Sequence, residues 1–169
     1  MRRALVWIIV LAVIAAVVWA TQIRPVDNRV MVYFIGPANG GTTLVPVERT
    51  VRGRGVEVIL RGAIEALLAG PTPDERARGL STEIPAGTRL RELAVQEGVA
   101  IIDLTEAVGS GGGSASMLAR LWQIVYTGTQ HPAARQVRLL IEGTERRVLG
   151  GEGVLIDRPI GRPPAFPRF

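Results

Sequence analysis

The sequence predicts an α+β domain, a mainly antiparallel sheet with two helices packed on one face, in the order β-β-α-β-β-α-β. Three observations lead there. Runs rich in β-branched and apolar residues stand at 30–35, 44–51, 90–95, 99–104 and 137–142. Two stretches, 56–69 and 115–127, instead repeat their apolar residues at helical spacing. Glycine, proline and short polar turns separate the runs, so strands and helices alternate at lengths that suit one two-layer domain.

Residues 30–35 (VMVYFI) read as a strand, central or buried on both faces, and the glycine-rich stretch 36–43, interrupted by Pro37, breaks it. Residues 44–51 pair antiparallel with it, and Pro46 fits an edge or a bulge because it brings no N–H to a ladder. Gly53 and Gly55 lead into the first helix, 56–69, where Leu60, Ile64, Leu67 and Leu68 form a stripe facing the sheet. Gly70 and Pro71 stop that helix, one as a left-handed cap and the other as a residue that cannot continue it. Residues 71–79 are charged and read as a solvent-exposed loop, within which Thr72-Pro73-Asp74-Glu75 opens a short helical turn.

Residues 84–88 (IPAGT) carry turn chemistry, and Glu97-Gly98 joins strands 90–95 and 99–104 as a hairpin. The run GSGGGS, 109–114, is a flexible connection with the composition of a phosphate loop but without its Lys-Ser/Thr ending. Ser114 is the expected N-cap of the second helix, whose wide apolar face holds Met117, Leu118, Leu121, Trp122, Ile124 and Val125. Val137, Leu139 and Ile141 alternate in the last strand, and Gly143-Thr144 begins a return through 146–149. Four prolines in residues 158–169 describe an extended, poorly ordered tail.

Ahead of the domain, residues 4–20 are uncharged and almost wholly apolar, and with 21–23 they span about 30 Å as a helix, enough to cross a bilayer. Trp7 and Trp19 mark its ends, and Arg2 and Arg3 favour a cytoplasmic N-terminus. The expected organisation is a cytoplasmic 1–3, a transmembrane signal anchor 4–23, a linker 24–29, an extracytoplasmic domain 30–157 and a proline-rich tail 158–169. The alternative is a signal peptide cleaved after Val18-Trp19-Ala20, which leaves the domain secreted.

The net charge is +5, and all 20 basic residues are arginine, spread along the chain, so neither a nucleic-acid-binding stripe nor a basic tail emerges. There is no cysteine, hence no disulfide, thiolate metal site or lipid-bearing cysteine. The one histidine, His131, stands in a Gln-His-Pro turn without a nucleophile motif nearby, and Asp103 and Glu106 at a strand end fit backbone capping better than acid–base work. No catalytic residue, cofactor or metal site is therefore expected. Arg89, Arg91 and Arg120 are the candidate ligand-binding residues, as a basic surface for an anionic polymer.

Three blocks, Leu67-Leu68-Ala69-Gly70-Pro71-Thr72, then residues 79–88 (GLSTEIPAGT), then residues 98–104 (GVAIIDL), resemble in order and spacing the GerMN (germane) domain of sporulation and spore-germination proteins. The likeness extends to Leu44-Val45-Pro46-Val47, Val125-Tyr126-Thr127 and 137–143, about residues 29 to 161 in all. It implies a fold similar to ring-building motifs, in which small domains associate side by side, and none of its blocks is a catalytic signature. The expectation is a non-enzymatic membrane protein whose outward domain binds other envelope proteins, as a scaffold in a sporulation, germination or cell-envelope complex, and which forms a homo-oligomer. The alternative is a module that binds peptidoglycan or another wall ligand.

Overall fold

The computed structural model describes residues 10–14, 26–151 and 153–169. Residues 10–14 are helical and exposed. The transmembrane reading of 4–23 and the linker up to 25 otherwise lie outside the described residues, among which no helix is long and apolar enough to cross a membrane.

Strands β1 (Val26–Ala38) and β2 (Gly41–Gly53) form one long antiparallel hairpin. Its ladder runs to Ala38 opposite Gly41, so residues 36–43 do not break the strand as the composition suggests. The turn is Asn39-Gly40, a two-residue connection in which Gly40, at φ 82°, takes the left-handed position that glycine favours. Gly36 lets the ladder pass, because a Cβ there would lie 2.6 Å from Val45 Cγ2. Pro37 and Pro46 cost the ladder nothing. Pro46 faces Tyr33, whose N–H points away from β2 to Thr127, so the proline occupies an outward position where no inter-strand donor is needed.

Helix α1 (Val56–Leu68) follows, ending at Ala69 and Gly70, whose φ is 77°. The charged segment beyond it contains α2 (Pro73–Ala77), closed by the capping box of Thr72 and Glu75. Strands β3 (Leu90–Gln96) and β4 (Val99–Leu104) form the expected hairpin around Glu97 and Gly98, both at positive φ. A short 3-10 turn, Glu106–Gly109, leads to α3 (Ser114–Gly128) and then β5 (Gln136–Ile141).

The expected mainly antiparallel sheet is divided, and one of its pairings is parallel. β5 lies parallel to β4, because α3 carries the chain across before it returns. β3-β4-β5 is extended by β6 (Thr144–Glu145) and β9 (Ile160–Gly161), both antiparallel to β5, while β1-β2 is a separate sheet and β7 (Val148–Leu149) pairs only with β8 (Val154–Leu155). Val32 and Phe34 of β1, Leu60, Ile64 and Leu67 of α1, and Met117, Leu121 and Ile124 of α3 meet Ile102, Leu104, Leu139 and Ile141 in one core. Strand β1 packs against both main helices, which in turn contact β3 and β5 of the mixed sheet.

The tail is extended but docked. β9 pairs with β5, and the N–H groups of Phe169 and Thr42 each donate to the other's carbonyl, at 2.9 and 3.1 Å. Phe166 lies against Tyr126 with ring centroids 4.8 Å apart, and the Arg162 guanidinium stands 4.8 Å from the Tyr126 ring and 5.5 Å from that of Tyr33. Proline content alone signals disorder; aromatic anchors between the prolines reverse it.

Candidate functional site

The segment between α2 and β3 is irregular, yet it is held at every few residues. The Ser81 N–H and C=O both bond the Ile35 backbone at 2.8 Å, so this segment takes one rung of the outer edge of β1. The Glu83 N–H donates to Gln123 Oε1 (2.9 Å), the Ile84 N–H to Thr82 Oγ1 (3.2 Å) and the Thr88 N–H to the Pro85 carbonyl (2.9 Å). At Arg89 the N–H donates to Thr105 Oγ1 and the C=O accepts from the Thr105 N–H, both at 3.0 Å. The backbone that carries Arg89 is therefore fixed on both sides.

Two adjoining cavities open along this segment. The smaller, about 350 Å³, lies between the end of α1 and the start of β3, and is lined by Glu65, Leu68, Ala69, Ala86, Thr88, Arg89 and Leu90. The larger, about 580 Å³, shares Leu68, Ala69, Ala86 and Arg89 and adds Pro71, Arg76, Leu80, Thr82 and Ile84. These volumes suit a small ligand or a few residues of a peptide. Both titratable groups of the larger cavity are arginines. Arg76 donates to the Pro71 carbonyl, whereas the Arg89 guanidinium has no hydrogen bond or ion pair among the described residues. Thr88 is buried beside it, and its Oγ1 also lacks a partner.

The three arginines expected to form one basic surface separate. Arg91 is half-exposed and neutralised, donating to Asp103 Oδ2 at 3.0 Å and standing 3.4 Å from Glu142 Oε2. Arg120 is 2% exposed, so it is not a surface residue. Its guanidinium donates to the carbonyls of Glu83 (2.9 Å), Val108, Ser110 (3.1 Å) and Gly111 (3.2 Å). Burial pulls its pKa down, and the charge of Glu83 opposes that shift. The glycine loop expected to be flexible is therefore gathered around a buried cation. Of these three arginines, Arg89 alone is exposed and without a partner among the described residues.

The other candidate chemistry resolves into structure. Asp103 accepts from Arg91 and, through Oδ1, from the Gly143 N–H at 2.8 Å, while Glu106 faces Arg146 at 3.7 Å. His131 Nδ1 accepts from the Ala133 N–H at 3.1 Å within its own turn. Among the described residues no group of three or more His, Cys, Asp or Glu is placed to hold a metal.

The sequence reading missed the Arg49–Glu75 pair, with contacts of 2.8 and 2.6 Å. Arg49 holds the Glu75 carboxyl down to a pKa of about 2, against an ordinary 4.5, with burial opposing and the Thr72 N–H assisting. The signal available was the capping box, which placed Glu75 but not its partner.

The chain is thus an α+β domain with a cavity lined by Arg76 and Arg89 beside the irregular segment that precedes β3. The family model for Germane, described as sporulation and spore germination, matches residues 31–147, and the chain belongs to that family. Solved structures share the fold. A candidate lipoprotein from Clostridium perfringens is 24% identical, with TM-score 0.59, over 80% of this chain and 88% of that one. The first GerMN domain of the Bacillus subtilis sporulation protein GerM is 22% identical, with TM-score 0.61, over 80% and 98%. The tandem GerMN domains of GerM are 22% identical, with TM-score 0.63, over 81% of this chain and 46% of that one. At these identities the likeness concerns the fold alone. No curated protein sequence matches the chain.

Proposed function

We propose that the chain is a membrane-anchored, extracytoplasmic, non-enzymatic GerMN protein that binds other envelope proteins as a scaffold in a sporulation, germination or cell-envelope complex. The observation that carries this reading is the order of its parts: a charge-free apolar segment, 4–23, directly ahead of a Germane domain that fills most of the remaining chain. The lipoprotein description of the Clostridium relative supports envelope association, although this chain has no cysteine and would use its apolar helix instead. The family's sporulation and germination description supports a part in one of those processes. Association between copies of the chain belongs to the same proposal.

The test is crosslinking of the full-length protein in its native membrane, followed by identification of attached proteins and muropeptides. The scaffold reading expects a stoichiometric envelope protein that disappears when residues 26–161 are deleted. Attached muropeptides without a reproducible protein would favour the second reading, a wall-ligand module. The unpaired Arg89 beside two cavities is the specific support for that alternative.

A further inference from the structure

We propose that the paired cavities around Arg89 bind the free C-terminus of a peptide built of small apolar residues. This deepens the ligand-binding reading and rests on it. The larger cavity is lined by two cations, Arg76 and Arg89, and by no carboxylate. Its occupant is therefore anionic. Arg89 has the planar fork that meets a carboxylate through two parallel hydrogen bonds, and nothing among the described residues competes for it.

A simple inorganic anion fits the surroundings less well. α1 ends at Leu68 and Ala69, in the common wall of both cavities, with no basic residue in its last turn. The carbonyl end of a helix carries negative partial charge and accepts N–H donors. Glu65 lines the smaller cavity and has the same preference. A molecule with a carboxylate next to an amide N–H satisfies both signs at once, and that combination is a peptide's C-terminus. The apolar wall, Leu68, Ala69, Leu80 and Ile84, suits alanine-sized side chains. Because backbone bonds to Thr105 hold Arg89, and those to Ile35 hold Ser81, the frame is formed before the ligand arrives.

Such a terminus is found on a wall stem peptide with D-residues and on a partner protein with L-residues, and chirality separates the two. Full-length protein in detergent micelles is titrated calorimetrically with acetyl-L-Ala-L-Ala, its C-terminal amide, and acetyl-D-Ala-D-Ala. The expected result is a carboxylate peptide that binds at least tenfold more tightly than the amide. Arg89→Ala abolishes that preference, Arg89→Lys keeps part of it, and Arg91→Ala leaves it intact because Arg91 is already paired. Tighter binding of the D-peptide assigns the site to wall peptide, and tighter binding of the L-peptide to a protein terminus. Equal binding of acid and amide, a preference that survives in Arg89→Ala, or no binding of any peptide overturns the proposal. Isolated sacculi give the separate control: if they bind wild type and Arg89→Ala equally and no peptide binds, the wall-ligand reading stands and this site falls.

Discussion

The side-chain amide of Gln130 meets the backbone of Met31 as a neighbouring strand would: Oε1 accepts from the Met31 N–H at 2.7 Å, and Nε2 donates to the Met31 carbonyl at 3.0 Å. Gln130 lies just past α3, and two residues within that helix continue the pattern. Thr127 Oγ1 accepts from the Tyr33 N–H (3.3 Å) and Gln123 Nε2 donates to the Tyr33 carbonyl (2.9 Å). At Ile35 the rung passes to Ser81. A row of polar side chains at helical spacing thus satisfies the outer edge of β1, which would otherwise leave buried backbone groups unpaired.

Gln123 is the keystone of that row because it is fully buried and also accepts from the Glu83 N–H. Gln123→Leu strands the Tyr33 carbonyl and the Glu83 N–H, at a cost of about 2–4 kcal/mol. For a chain of this size the melting temperature is expected to fall by roughly 5–15 °C in a thermal unfolding experiment. Gln130→Ala, nearer the surface, should cost about 1 kcal/mol.

Arg120 holds a loop, and its replacement should loosen that loop before the rest. Arg120→Met is expected to destabilise by about 2–4 kcal/mol, since buried carbonyl acceptors lose a charged donor. Hydrogen exchange should show lost protection over 108–116, with β4 and β5 protected until global unfolding. An Arg120 variant with unchanged stability and reduced ligand binding would instead restore it to the surface.

Glu75 gives the fold an acid limit. Its carboxyl has a pKa of about 2 in the folded protein and an ordinary value of 4.5. A group depressed on folding stabilises fully above its unfolded value. That stabilisation fades as the pH drops below about 4.5 and is lost as it falls through about 2. Arg49→Met removes the cation that depresses the carboxyl, so the variant should be less stable at neutral pH by about 2 kcal/mol. It should also show a flatter dependence between pH 5 and 2, measured by denaturant unfolding across that range.

The tail should behave as part of the domain. Truncation after Gly161 removes Arg162 from Tyr33 and Tyr126, Phe166 from Tyr126, and the Phe169–Thr42 rung. A loss of about 2–4 kcal/mol is expected from these aromatic and cation–ring contacts together. An undiminished unfolding midpoint would mean that the tail adds nothing.

Much of this was legible in local pattern. Leu60, Ile64 and Leu67 on one helical face, the Gly70-Pro71 stop and the Glu97-Gly98 turn each determine their element within a few residues. The parallel pairing of β4 with β5 was not legible, because register across a helical crossover depends on contacts between strands 30 or more residues apart. Arg120 was misread because arginine is ordinarily exposed. Two of the carbonyls that offset its burial, those of Ser110 and Gly111, belong to a glycine loop whose composition indicates flexibility. The others come from Glu83 and Val108, which nothing local brings together. The polar residues Gln123, Thr127 and Gln130 were the available clue, spaced four and three apart beside an apolar face. Arg89 was a candidate by residue type alone, and the cavity beside it required the placement of α1 against residues 79–90.

Every functional proposal here depends on the side of the membrane on which the domain stands. The cysteine-free sequence makes that directly measurable. Single cysteines are introduced as Arg3→Cys, ahead of the apolar segment, and Thr50→Cys, on the exposed side of β2, and intact protoplasts are treated with a membrane-impermeant maleimide. The account predicts labelling at position 50 before lysis and at position 3 only after it. Labelling at position 3 in intact protoplasts, with position 50 protected until lysis, would place the domain in the cytoplasm and contradict it.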